Sequence, residues 1–267
     1  MTDHVERRAL AASLREWRSR RRVSQLELAV NAGTSQRHVS FIENGRSVPG
    51  RGMVLRLAEA LEMPLRERNA LLLAAGYAPA YEETSLDDPE LGPVRAALER
   101  ILKGHLPYPA VTTDRQGNLI SSNRAFRALT QDVAQELLVP PVIIPLLLLH
   151  PKGLAPRILN LDVWAWHVID GLQREAGHNP NDRIEALVAQ LEGLVPDRPR
   201  APTPDYLGFA VPLRLRQRET ELQLLTTLTH FGTAVDVTVA ELRLEAFLPA
   251  DEATARFLAE LDAAVLE

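Results

Sequence analysis

The chain has 267 residues, enough for one large or two ordinary domains, and its 46% hydrophobic and 24% charged residues exclude wholesale disorder. It contains no cysteine, which excludes disulfides and thiolate metal sites and makes a cytoplasmic address the expectation. The formal net charge of −5 hides an asymmetry, because residues 1–80 carry 13 Lys+Arg against 8 Asp+Glu while the remainder carries 17 against 27. A modestly basic head on an acidic body suits a head that meets phosphate and a body that does not.

The opening MTDHVERRALAA lacks the apolar stretch of a signal peptide. The longest apolar run, Val139–Leu149, is broken by Pro140, Pro141 and Pro145 and is too short to span a bilayer, so no membrane partner is expected. A first helix is predicted from about Asp3 to Arg20, with Leu10, Leu14 and Trp17 on one face. It ends in the basic cluster Arg18, Arg20, Arg21 and Arg22, which suits a helix C-terminus through the dipole and also suits a nearby phosphate.

Ser24–Asn44, SQLELAVNAGTSQRHVSFIEN, carries the most specific signal. Ser24 and Glu27 form an S-x-x-E capping box, so a second helix is expected from Gln25 with Leu26, Leu28 and Ala29 facing inward. Gly33 stops it by entering the left-handed region. Ser35 then caps a third helix that turns Val39 and Ile42 inward. A helix, a tight glycine turn and a helix result. With LREWRSRRRVSQLELA ahead and IENGRSVPGRGMVLRLAEALEM behind, the segment resembles the helix-turn-helix of the Cro/C1-type (XRE) phage-repressor family.

That resemblance implies that the third helix enters the major groove of an operator in double-stranded DNA. Gln36, Arg37 and Ser40 share the face opposite Val39 and Ile42, and Gln and Arg read adenine and guanine edges by paired hydrogen bonds. Ser35 and His38 lie beside that face as further DNA contacts. Gln25 matches the family position that grips phosphate, and Asn44 and Arg46 stand in the loop that would cross the backbone. Val54, Leu57, Ala58 and Leu61 predict a fourth helix; Pro64 at the first position, Leu65, Leu71 and Leu72 predict a fifth, ended by Gly76. The acidic, proline-edged stretch that follows reads as a linker. The expected organisation is residues 1–78 as the all-α head of five helices, 79–88 as linker and 89–267 as an α+β body.

The body opens with a helix from Glu90 to Lys103. A hairpin follows, AVTTD, a turn at RQGN, then LISSN, and a helix begins at Asn123. Near the other end, Phe209, Val211, Leu213 and Leu215 alternate, as do Leu222, Leu224, Thr226 and Leu228. A third late segment alternates Val235, Val237 and Val239, then Leu242, Leu244 and Ala246, a parity change that predicts a β-bulge. Asp251–Leu266 reads as a terminal amphipathic helix. Two early and three late strands resemble the five-stranded antiparallel sheet of a PAS domain, with a long helical insert at Gln131–Leu194. Together, the helix-turn-helix, LLLLHPKGLAPRILN and DVTVAELRLEAFLPAD resemble the MmyB-like transcription regulators, in which such a head is joined to a PAS-like ligand-binding domain.

The insert holds Ile143, Ile144 and Leu146–Leu149, too many contiguous apolar residues for a one-sided helix, and a second stripe of Leu161, Trp164, Val168 and Leu172. They form core, or the lid of a pocket over the sheet. The pocket-lining candidates are Phe126, Ile143, Leu147, Trp164, Val168, Val211, Leu224 and Leu244, with His150, Arg157 and His167 as cations for a carboxylate head. Aliphatic walls favour a small apolar ligand such as a fatty acid over a sugar or nucleotide, and no other cofactor is expected. A symmetric homodimer is expected, joined through the body. No G-x-S-x-G, H-E-x-x-H or P-loop is present, so an enzyme is not expected. Two further readings stand beside the ligand sensor. One is a DNA-binding regulator of antitoxin or anti-regulator type, controlled by a protein partner. The other is a haem sensor using His150 or His167.

Overall fold

The computed structural model describes residues 2–179, 181–197 and 210–264, with side chains from Arg8 onward. The chain divides into two units, Met1–Thr84 with the short segments Gly177–Pro180 and Thr233–Ala240, and Ser85–Ala176 with Asn181–Gly232 and Glu241–Glu267.

In the first unit, α1 (Thr2–Arg20), α2 (Gln25–Asn31), α3 (Gln36–Glu43), α4 (Arg51–Ala60) and α5 (Leu65–Ala74) follow the predicted order. The local chemistry sets their ends. Ser24 Oγ accepts from the Glu27 amide at 3.1 Å, and Ser35 Oγ accepts from the His38 amide at 3.2 Å. Gly33 turns the chain between α2 and α3 at φ +63°, where a Cβ would be strained. Pro64 caps α5 from outside, one residue earlier than its predicted place within the first turn. Leu14, Leu28, Val39, Ile42, Leu57 and Leu72 close one core, each removed from water and each contributing about 1.5–3 kcal/mol of transfer free energy. Leu26 departs from expectation: it is 57% exposed, because the inward stripe of α2 narrows to Leu28 and Ala29.

The stretch read as linker is held against α5 over its first half. The Ala80 and Tyr81 amides donate to Asn69 Oδ1, Asn69 Nδ2 donates to the Tyr81 carbonyl, and Arg66 pairs with Glu83 at 2.6 Å.

The second unit carries a 3-10 turn at Pro89–Leu91, α6 (Gly92–Gly104), the hairpin β1 (Ala110–Thr113) and β2 (Leu119–Ser122), then α7 (Arg124–Thr130). The insert supplies α8 (Ile144–Leu149), α9 (Leu161–His178) and α10 (Asp182–Glu192). It is followed by β3 (Leu213–Gln217), β4 (Thr220–His230), β5 (Arg243–Pro249) and α12 (Glu252–Ala264), while the short α11 (Val237–Ala240), between β4 and β5 in the chain, falls in the segment counted with the first unit. Phe209 and Leu266 lie outside the described residues. The five strands form one antiparallel sheet in the order β2-β1-β5-β4-β3, as a PAS-like body requires.

Helices cover both faces of that sheet. On one, α6 packs Leu102 against Ala110, Leu244 and Ala246. On the other, α7, α8, α9, α10 and α12 build the main core with Leu213, Leu215, Leu222, Leu224 and Phe247. The expected bulge between Val239 and Leu242 is absent, because Val237–Ala240 is the short helix α11 and the strand starts only at Arg243. That start sets the phase of β5. Arg243, Glu245 and Phe247 face the insert, whereas Leu244 faces α6.

Candidate functional site

On α3 the inward face is filled by Val39 and Ile42, which leaves Gln36 and Arg37 exposed and Ser40 half-buried on the opposite side. The Arg37 guanidinium lies over the Phe41 ring, 5.2 Å from its centroid, a cation–π contact that restrains the side chain. Arg46 is exposed in the following loop. Other candidates are engaged within the protein. His38 Nδ1 is 3.0 Å from Thr34 Oγ1, Ser35 caps the helix, and Asn44 Nδ2 donates to the Ser40 carbonyl at 2.8 Å.

Glu43, 2% exposed at the end of α3, organises the layer beneath this surface. Arg18 grips it with Nε and Nη2 at 2.6 and 3.0 Å, Gln25 Nε2 donates at 2.7 Å, and Arg15 donates to its carbonyl. Burial alone would raise the Glu43 pKa, but hydrogen bonds from Arg18 and Gln25 and the charges of Arg18 and Arg15 lower it. Gln25 is thereby fixed at the start of α2, with one amide hydrogen committed inward. Of the basic cluster at the end of α1, Arg18 holds Glu43, Arg20 pairs with Glu16 at 2.7 Å, and Arg21 donates to the Leu61 carbonyl and covers Trp17.

In the second unit, a cavity of about 270 Å³ opens between α8, α9 and the sheet. This is close to the lower end of the roughly 300–1,000 Å³ common for ligand pockets. Ile144, Pro145, Leu148, Trp164, Val168 and Leu172 form an apolar wall, opposed by Thr113, Thr226 and Leu228 from the strands. Charged side chains gather at the same cavity. Arg115 comes from the β1–β2 turn, His167, Arg174 and Glu175 from α9, and Arg243 and Glu245 from β5. Arg243 is paired through both terminal nitrogens with Glu175, and Arg115 stands 3.8 Å from Glu241 while only 6% exposed. Although part of the Glu245 residue is exposed, desolvation pushes its carboxyl up to about 7, against the opposing pull of Arg243.

Trp164, His167 and Val168 therefore meet at the cavity as the sequence suggested, and the remaining pocket candidates do not. Phe126 and Leu224 border a separate void of about 10 Å³, room for a water at most. Leu147, 1% exposed, is core, with Ile143 and Val211 packed partly buried around it. His150 Nδ1 accepts from the Lys152 amide at 3.0 Å, so it serves the turn after α8. Arg157 donates to Gln217 Oε1 at 2.6 Å and to the Leu129 carbonyl, which holds α7 and β3 together. Leu244 lies on the far face of the sheet for the reason of strand phase given above. Sequence reasoning missed Arg115, Arg174, Glu175, Arg243 and Glu245. Reading the strand from Arg243 instead of from Val235 would have exposed the last two.

Among the described residues no cluster of His, Asp or Glu has the arrangement of a metal site, and no helix is long and apolar enough to cross a membrane. No curated protein matches the chain. A helix-turn-helix domain model matches residues 9–71, and a model of the MmyB-like transcription regulator ligand binding domain matches residues 94–261, more than half of the chain. The protein belongs to the MmyB-like transcription regulators, with a DNA-binding head and a ligand-binding body.

Proposed function

We propose that the protein is a cytoplasmic, sequence-specific regulator whose body holds a small apolar ligand with an acidic head, of the fatty-acid class. The observation that carries this reading is the cavity itself: one wall is aliphatic and aromatic, and three arginines line it together with Glu175 and Glu245. A chain-like ligand loses apolar surface to the Ile144–Leu172 wall, at about 25 cal/mol per Å² buried, while its head finds a cationic partner. Gln36 and Arg37 read bases, and Arg46 with the start of α2 meets phosphate.

A single head covers about half a turn of duplex, so we expect a homodimer joined through residues beyond about 80, reading two half-sites one helical turn apart. Light scattering at micromolar concentration tests this, and a monomer counts against it. The ligand class is tested by denaturing purified protein, extracting it and identifying any released molecule by mass spectrometry. Recovery of a carboxylic acid with an alkyl chain in near-stoichiometric amount supports the reading. A polar metabolite in that amount, or a co-purifying protein partner with no effect of small molecules on operator binding, overturns it in favour of another effector.

A further inference from the structure

The cationic lining of the cavity is already neutralised in part by the protein itself. Arg243, on the first position of β5, and Glu175, in the last turns of α9, form a two-toothed pair whose side chains are 17% and 19% exposed. One partner belongs to the sheet and the other to the helix that covers it. Both line the cavity. We propose that Glu175 is a resident counter-ion, and that an acidic ligand binds by exchanging its own carboxylate for that of Glu175 on Arg243. The inference rests on the cavity being the ligand site and adds how that site selects its ligand.

Three physical points carry it. A guanidinium fork matches one carboxylate through its two terminal nitrogens, so the place a ligand head would take is the one Glu175 holds. A partly buried arginine stripped of its partner is costly, so only another anion can replace Glu175 without leaving Arg243 exposed to that penalty. A neutral head offers nothing in exchange, and an alcohol or ester of equal chain length binds through its chain alone. The other groups around the pair are of both signs, Arg115 standing beside Glu241 and Asp114 acting on Arg243. Arg115 and Arg174 add positive charge, His167 stands on the same helix, and Glu245, beside Arg243, is the one further acid in the lining. Burial raises the Glu245 pKa to about 7, which lessens its repulsion of the incoming head near neutral pH.

The test uses the full chain after removal of bound lipid, with decanoate and decanol as probes in calorimetry at pH 7. The wild type is expected to prefer decanoate by about tenfold. Glu175→Gln removes the competitor and is expected to raise decanoate affinity about tenfold while leaving decanol unchanged. Arg243→Gln is expected to erase the preference, and Arg243→Lys to keep part of it. A Glu175→Gln protein that binds decanoate no more tightly overturns the exchange, as does an Arg243→Gln protein that retains the preference. Should Arg243→Gln fail to fold by circular dichroism, Glu175→Gln still decides. Failure of both probes to bind the wild type removes the ligand reading and the exchange together. Binding of both with a ratio that ignores these variants removes the exchange alone.

Discussion

Glu43 at the end of α3 and Glu245 on the cavity face of the sheet are both drawn away from water, and their surroundings move them in opposite directions. Around Glu43 each carboxylate oxygen has a donor, from Arg18 or from Arg18 and Gln25, and the acid stays ionised below its usual range. Around Glu245 desolvation prevails, and the cation that opposes it, Arg243, is already engaged by Glu175. A saturated network fixes a shape, which a DNA-reading surface needs. An acid raised by desolvation beside a cation that is already paired can change its protonation when a charged group enters, which suits a binding site.

Breaking the saturated network should produce the largest effect. Glu43→Ala leaves Arg18 partly buried without its partner and is expected to cost the head about 3–5 kcal/mol. Hydrogen exchange of the α1–α5 amides reads this without assuming that both units unfold together, and unchanged protection would contradict the network's role. Because the Glu43 pKa is lowered on folding, its contribution is present above the unfolded value of 4.5 and is lost as pH falls through the folded one.

Arg37→Ala should weaken operator binding by about 1–3 kcal/mol and relax one base position, whereas Arg46→Ala should weaken all sequences alike and lower the salt slope. Equal losses on operator and random DNA for Arg37→Ala would remove the base-reading assignment. Glu245 predicts the opposite pH behaviour to Glu43. Its raised pKa means that stability falls as pH rises from 4.5 through about 7. Glu245→Gln should therefore gain about 1–2 kcal/mol at pH 8, discounted for partial exposure, and nothing at pH 4. Thermal melts at the two pH values check this, and a pH-independent difference would show that packing, not ionisation, is responsible.

The smallest expected effect concerns Thr112, whose buried hydroxyl on β1 has no hydrogen-bond partner among the described residues. Thr112→Val should be neutral or stabilising by up to about 1 kcal/mol, and a clear loss would reveal a bond to water there.

The head was readable from sequence nearly residue by residue, because its signals are local. A capping serine, a glycine at positive φ and a 3.6-residue apolar period each act within one turn. Leu26 escaped that logic because an apolar residue on a short helix says nothing about whether a neighbour covers it. The sheet was legible as five strands, while the cavity was not. Which face β5 presents depends on where its first residue falls after α11, and a shift of one residue exchanges Leu244 for Arg243 and Glu245. Arg115 read as an ordinary turn residue, and its place at the cavity follows only from how the hairpin packs. Arg157 has the charge a ligand head needs, but its bonds to Gln217 and the Leu129 carbonyl, which sequence spacing does not reveal, commit it to joining α7 and β3.

An acidic apolar ligand that governs the head from the body must change operator affinity when it binds. Fluorescence anisotropy of the lipid-free full chain on operator DNA, with and without saturating decanoate at fixed salt, measures that coupling. A change of at least about fivefold is expected, the lower end of ordinary coupling between sites. Decanoate that binds stoichiometrically and leaves operator affinity unchanged would contradict it.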